Sequence, residues 1–314
     1  MRAALNTLTD ELRRLKAAGV KTVTVSDESL AVLRRAVAGR RKPQSVPTVN
    51  SAGSAGAPAR ESGDAGAATP AIPESPETPS EISASAKSTA IPSPVPFTIP
   101  PGDKAARMEA LRGRVLGDAV CCAHARPGKK VVVGVGSLDA KIMFVGEAPG
   151  AEEEVQGEPF VGPAGQLLTR MIGAMGLRRS DVYIGNIMNW RPEMPLNASG
   201  VQYGNRAPTE DEMRYCLPYL RAQIEIVNPD LLVALGATAT AGLLGFGTFK
   251  ALGEIRGRWR EFAGKPLMVT YHPSYILRNQ SNRSKRMIWE DLLQVMERAG
   301  LTISDKQRSY FLEK

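Results

Sequence analysis

The sequence is poor in the residues that disulfide frameworks and metal centres require. It holds three cysteines and two histidines in 314 residues. Three thiols exclude a disulfide scaffold and any four-cysteine metal site, and they fit a reducing compartment. His124 and His272 are too few for a histidine-rich centre. No run reaches the ~18 uninterrupted apolar residues of a membrane-spanning helix. The opening stretch MRAALNTLTDELRRLKAAGV mixes acids and bases without an apolar core, so it does not read as a secretory signal. Together these absences predict a soluble, intracellular, cytoplasmic chain with no membrane partner.

What is present is positive charge, unevenly placed. Lys plus Arg number 40 against 32 Asp plus Glu. Residues 1–42 carry +6, residues 43–102 carry −3 and the remainder +5. A mildly basic folded part suits a polyanion and equally suits simple solubility. Residues 43–102 contain twelve of the 23 prolines, with Ala, Ser, Thr and Gly filling most other positions. Such a segment buries too little apolar surface to offset chain entropy, so it reads as a disordered linker. Before it, residues 1–42 read as a short element. Leu5, Leu8, Leu12 and Leu15 recur at helical spacing, and Val20 to Val25 alternate like a strand. That element is either a small docking piece or a basic contact arm. Residues 302–314 read as a tail.

From residue 103 to 301 short apolar strands alternate with helical stretches. Strands are expected at 141–145, 181–184, 231–235 and 267–271, and helices at 104–120, 163–176, 209–227, 237–245 and 284–299. That pattern predicts an α/β fold with a parallel sheet covered on both faces, whose ligands bind beyond the carboxyl ends of the strands. The unusual residues fall there: Glu147 in Gly146–Gly150, Asn186, Gly236 and His272.

Each of these positions carries two readings. The Gly146–Gly150 turn lacks both the G-x-G-x-x-G and the Gly-Lys-Ser/Thr spacing, so dinucleotide and P-loop readings fail. Glu147, followed by Glu152-Glu153-Glu154, fits a solvated acidic loop or carboxylates that position a water. Phe160, in a loop flanked by glycines, is core or a face for a planar base. Pro163 opens a helix whose free N–H groups suit a phosphate. Asn186 is a turn residue or, because its amide both donates and accepts, a reader of a nucleobase edge. His272-Pro273-Ser274-Tyr275-Ile276-Leu277-Arg278 reads as a protruding apolar loop of the kind that wedges open a base stack, with His272 either part of the site or a satisfied structural residue.

GEAPG, GEPFVGPAGQLL, the strand ending in Asn186, Asn205-Arg206-Ala207-Pro208, LGATA and HPSYILR stand in an order and spacing that resemble the uracil-DNA glycosylase superfamily, family 4 in particular. The resemblance covers roughly residues 104–300. It implies a three-layer α/β/α sandwich on a four-stranded parallel sheet and excision of uracil from DNA, leaving an abasic site. It implies that Phe160 stacks on uracil, Asn186 reads its edge, His272 donates to its O2, and Glu147 or Glu153 activates the water. Ala148 and Tyr271 would complete the pocket wall. Pro163, Ser274, Ile276, Leu277 and Arg278 would touch DNA. The implied partner is uracil-containing DNA, bound by a monomer associated with the nucleoid. A binder without activity and a glycosylase of shifted base choice are the competing readings.

Two departures stand out. Family 4 usually holds a [4Fe–4S] cluster on four cysteines; the matching positions here are Ala119, Cys122, Trp190 and Cys216. Two remnant positions cannot hold it, so the cluster is expected to be absent, with Trp190 filling its space and no cofactor required for the chemistry. The second departure is an insertion, Glu193 to Gly204. A similarly placed insertion in the X-type branch carries a histidine that traps DNA covalently; this one carries none, which favours ordinary hydrolysis.

Overall fold

The structure, a computed structural model, describes residues 91–197 and 200–312. The readings for the N-terminal element and most of the linker lie outside the described residues. The folded part contains strands β1 (Val135–Gly136), β2 (Ile142–Gly146), β3 (Tyr183–Asn186), β4 (Leu231–Leu235), β5 (Trp259–Phe262) and β6 (Lys265–Thr270). Its helices are α1 (Lys104–Leu116), α2 (Ala119–His124), α3 (Ala151–Gln156), α4 (Pro163–Ala174), α5 (Glu210–Val227), α6 (Ala237–Leu244), α7 (Leu252–Ile255), α8 (Pro273–Arg278), α9 (Asn282–Arg298) and α10 (Asp305–Arg308).

The sheet runs β1-β3-β2-β4-β6-β5. Its central four strands, β3, β2, β4 and β6, are all parallel, as expected. The structure adds an antiparallel edge on each side, β1 on β3 and β5 on β6. Both escape a search for apolar runs, one being two residues long and the other half exposed.

Strand periodicity distributes the core between two faces. Met143 and Val145 of β2, with Leu232 and Ala234 of β4, join α1 and α5 on one side. Ile142 and Phe144, with Leu231, Val233 and Leu235, join α4 and α9 on the other. Helix starts follow local chemistry: Asp103 caps α1, and the Thr209–Glu212 capping box opens α5.

Residues 91–102 have neither helix nor strand, yet Ile91, Phe97 and Ile99 pack on the core. The Phe97 ring lies 5.1 Å from that of Tyr219, and the Arg114 guanidinium lies 5.6 Å from the Phe97 centroid. The folded part thus begins ahead of the boundary expected at 103. The tail is likewise seated. Trp289 Nε1 donates to the Gln307 carbonyl at 2.6 Å and Arg286 Nη1 to the Tyr310 carbonyl at 3.0 Å.

Because β3 follows β2 on one side and β4 lies on the other, strand order reverses between β2 and β4. An open crevice forms at such a switch point. Gly146, Asn186, Gly236 and His272 end or follow the four parallel strands and surround it.

Candidate active site

A cavity of about 520 Å³ occupies this crevice, lined by Glu147, Phe160, Asn186 and His272 together with Ala148, Pro163, Ser274, Leu277 and Arg278. Residues separated by over a hundred positions are brought together because each stands at a strand end.

Phe160 is buried with φ 55°, a left-handed conformation that a phenylalanine adopts only when its neighbours hold it there. Arg179 Nη2 donates to the Pro159 carbonyl at 2.6 Å. On the other flank, Glu153 Oε1 accepts from the N–H groups of Val161 and Gly162, both at 2.9 Å. Two glycines make the placement possible. A Cβ on Gly165 would lie 1.8 Å from the Phe160 carbonyl oxygen, so the loop can rest on α4 only there. A Cβ on Gly146 would lie 2.4 Å from both the Phe160 ring and Asn186 Oδ1.

Asn186 is 6% exposed, and its Oδ1 is buried without a hydrogen-bond partner. Burying an unpaired amide oxygen costs about 1–3 kcal/mol. An acceptor left vacant on a cavity wall is a seat for a ligand's donor.

His272 caps α8. Its Nδ1 accepts the Ser274 N–H at 3.2 Å and lies 2.8 Å from Ser274 Oγ. With Nδ1 occupied as an acceptor, the proton of the neutral ring sits on Nε2, which remains a donor. Burial first, then the nearby Arg278 charge, push the imidazole pKa down to about 4, so the ring is neutral at pH 7. Its ring centroid lies 5.6 Å from that of Phe160.

The two candidate carboxylates separate by environment. Glu153 is committed to backbone: besides the two bonds above, its Oε2 accepts the Gly150 N–H at 3.0 Å. It ties the Gly146–Gly150 turn to the Phe160 loop while also lining the cavity. Glu147 keeps its carboxylate for the cavity. Burial raises its pKa, partly offset by hydrogen bonding to Thr238.

Two expectations are corrected. The segment after His272 is a helical turn, α8, because proline at the first helical position starts a helix as readily as it ends one. Helical spacing then turns Ile276, at 8% exposure, away from this cavity toward a neighbouring groove, while Ser274, Leu277 and Arg278 stay on the cavity side. Tyr271 is not on the cavity wall; it stacks on Tyr275 at 4.3 Å, with Arg256 over its ring. Residues not singled out as site residues also take part. Thr238 acts on Glu147, and Asn205 and Arg206 line the cavity. Asn205 Oδ1 accepts from Arg191 Nε at 2.8 Å, and Arg206 forks onto Glu212 at 2.6 and 2.7 Å. Asn205-Arg206 and LGATA were legible as motifs; what they hold was not.

The positions that match the family's cluster ligands do not fit a four-thiolate group. Cys121, not Cys122, is the buried partner of Cys216; Cys122 is exposed, with its thiol directed at the Leu116 carbonyl. The register differs because α2 turns Cys121 inward beside α5. Hydrogen bonding to Cys216, then burial, push the Cys121 pKa up. Trp190 is fully buried nearby, stacked on His124 at 5.1 Å and tilted against Tyr215 at 6.2 Å. No group of three metal-ligating side chains occurs among the described residues. The insertion forms a small loop closed by the Leu196–Gln202 bridge and tied to Pro192 through Gln202.

Fold and site together define an α/β protein whose strand-end pocket offers one aromatic face, one amide and one imidazole donor to a flat polar ring. Residues 133–293 match the family described as the uracil DNA glycosylase superfamily. A type-4 uracil-DNA glycosylase of Thermotoga maritima is 44% identical over 186 residues, 59% of this chain and 91% of that protein. One from Saccharolobus solfataricus is 40% identical over 54% of this chain and 76% of its own length. A type-5 uracil-DNA glycosylase of Pyrobaculum aerophilum is 29% identical over 52% of this chain. The chain belongs to the uracil-DNA glycosylase superfamily, and within it to the type-4 family.

Proposed function

We propose that the chain is a DNA repair hydrolase that cleaves the N-glycosidic bond of uracil in DNA and leaves an abasic site. The observation that carries this reading is the pairing of a vacant amide acceptor, Asn186 Oδ1, with a neutral imidazole whose Nε2–H is free, on one cavity walled by Phe160.

Uracil is unreachable inside a duplex, so the nucleotide swings out of the stack. Phe160 takes the face of the ring. Asn186 Oδ1 accepts the uracil N3–H, a donor that cytosine lacks. As the glycosidic bond lengthens, negative charge gathers on the uracil and His272 Nε2–H donates to its O2. A donor already fixed before the reaction acts where charge develops, which lowers the barrier. A water oxygen bonds to C1′ of the sugar as uracil leaves, and Glu147 accepts the proton. Leu277 and Arg278 engage the strand beside the pocket, with Pro163 and Ser274 at its rim. None of these steps uses a cofactor. The enzyme is read as a monomer.

A uracil oligonucleotide incubated with the protein and then with alkali should break at the uracil. An intact strand with salt-sensitive binding would instead indicate a non-catalytic binder. Asn186→Ala should lose at least about 10²-fold in discrimination of uracil over cytosine; unchanged discrimination would remove Asn186 from the reading.

A further inference from the structure

A second cavity, about 440 Å³, lies on the far side of Leu277. Leu277 lines both cavities, so one side chain separates them. We propose that this groove seats the base next to uracil on the same strand, as a second, sequence-tolerant base subsite. The proposal rests on the glycosylase reading of the neighbouring cavity.

The groove floor is apolar, formed by Met171 of α4 with Ile288 and Leu292 of α9. Phe311 borders it, 40% exposed, a large aromatic face left in water. The charged lining residues are Arg170 and Lys285, with no carboxylate among the lining residues. Lys285 Nζ lies 5.9 Å from the Phe311 centroid. Aromatic faces beside cations are how proteins hold unstacked bases and their phosphates without reading sequence. Swinging uracil out breaks the stack on its neighbour, so an apolar face beside the wedge compensates that base. The same cations disfavour the chain's own +6 arm as occupant.

Single-stranded uracil oligonucleotides test this, each carrying a normal nucleotide or an abasic spacer beside the uracil, on either side in turn. A spacer on one side should lower kcat/KM by about tenfold. Phe311→Ala and Lys285→Ala should each lower kcat/KM on the normal strand but add little on the spacer strand, since variant and spacer remove the same contact. Phe311→Trp should retain activity. Equal rates with and without the spacer, or losses that multiply, would overturn the subsite; such a result with concentration-dependent self-association would assign the groove to a second copy. If wild type excises no uracil, the glycosylase reading fails by itself. The groove is then judged by 2-aminopurine placed beside the uracil: a fluorescence change on binding that Phe311→Ala lacks supports it, and identical signals overturn it.

Discussion

Glu147 and His272 face one cavity, and burial acts on them in opposite directions of pKa with a common result. Each is pushed towards its neutral form, the carboxyl upward and the imidazole downward to about 4. The proposed mechanism calls for neutral His272 and ionised Glu147. Excision should therefore fall as pH drops through the raised pKa of Glu147, above its ordinary value of 4.5. No inflection is expected near 6.5, the ordinary imidazole value, because His272 stays neutral down to about 4. A single-turnover pH profile checks both points, and Glu147→Gln should lower the rate and abolish the acid limb. A limb that survives in that variant would assign the proton to another group. The linkage sign also follows. A carboxyl raised on folding stabilises below its unfolded pKa and loses that benefit as pH rises through the folded pKa. Above the raised pKa the buried charge is a cost, so there Glu147→Gln should be more stable than wild type by about 1 kcal/mol, measured by denaturant unfolding.

At the scale of elements, α8 shows where sequence reading succeeds and where it stops. The four parallel strands were legible because a buried strand is a short apolar run with turn residues at its ends, and those ends located Glu147, Asn186 and His272. The edge strands were not, since β5 exposes half its residues and leaves no apolar run. In α8 the residues were legible as a group but not their directions: a loop lets Ile276 and Leu277 both protrude, whereas a helical turn buries the first and exposes the second. The inward Cys121 was missed for the same reason, because a helix one residue out of register turns a different thiol inward. Leu277→Ala should then slow excision from duplex DNA more than from single strands, by about tenfold in the ratio, since only duplex must be opened. Parallel single-turnover assays measure it, and an unchanged ratio would deny Leu277 the wedge role.

At the scale of the folded part, the layer between α2 and α5 contains aromatic packing. Trp190 joins His124 and Tyr215 there, while Asp118 accepts from the hydroxyls of Tyr215 and Tyr219 at 2.8 and 2.7 Å. Trp190→Ala should cost about 3–5 kcal/mol in unfolding free energy, as deleting a buried large aromatic does. The protein as purified should lack visible iron–sulfur absorbance; four irons per chain would refute this account. The same scale assigns a use to the ends of the folded part: residues 91–99 cover the core beside α5, and the tail clamps α9.

Gly146 carries a consequence beyond allowing two neighbours to approach. Phe160 and Asn186 both close on the end of β2 because one carbon is missing there, and on the proposed function that is where the base is held. A methyl group there is a plug built into the wall, placed by the sheet itself and unable to diffuse away. Gly146→Ala should convert the chain into a DNA-surface binder that admits no base, with affinity for uracil-free strands retained and excision lost. Normal excision by that variant would mean that Phe160 yields more readily than its tethered loop suggests. Gain or loss of one carbon at a strand terminus would then separate a hydrolase from a protein that only recognises the strand.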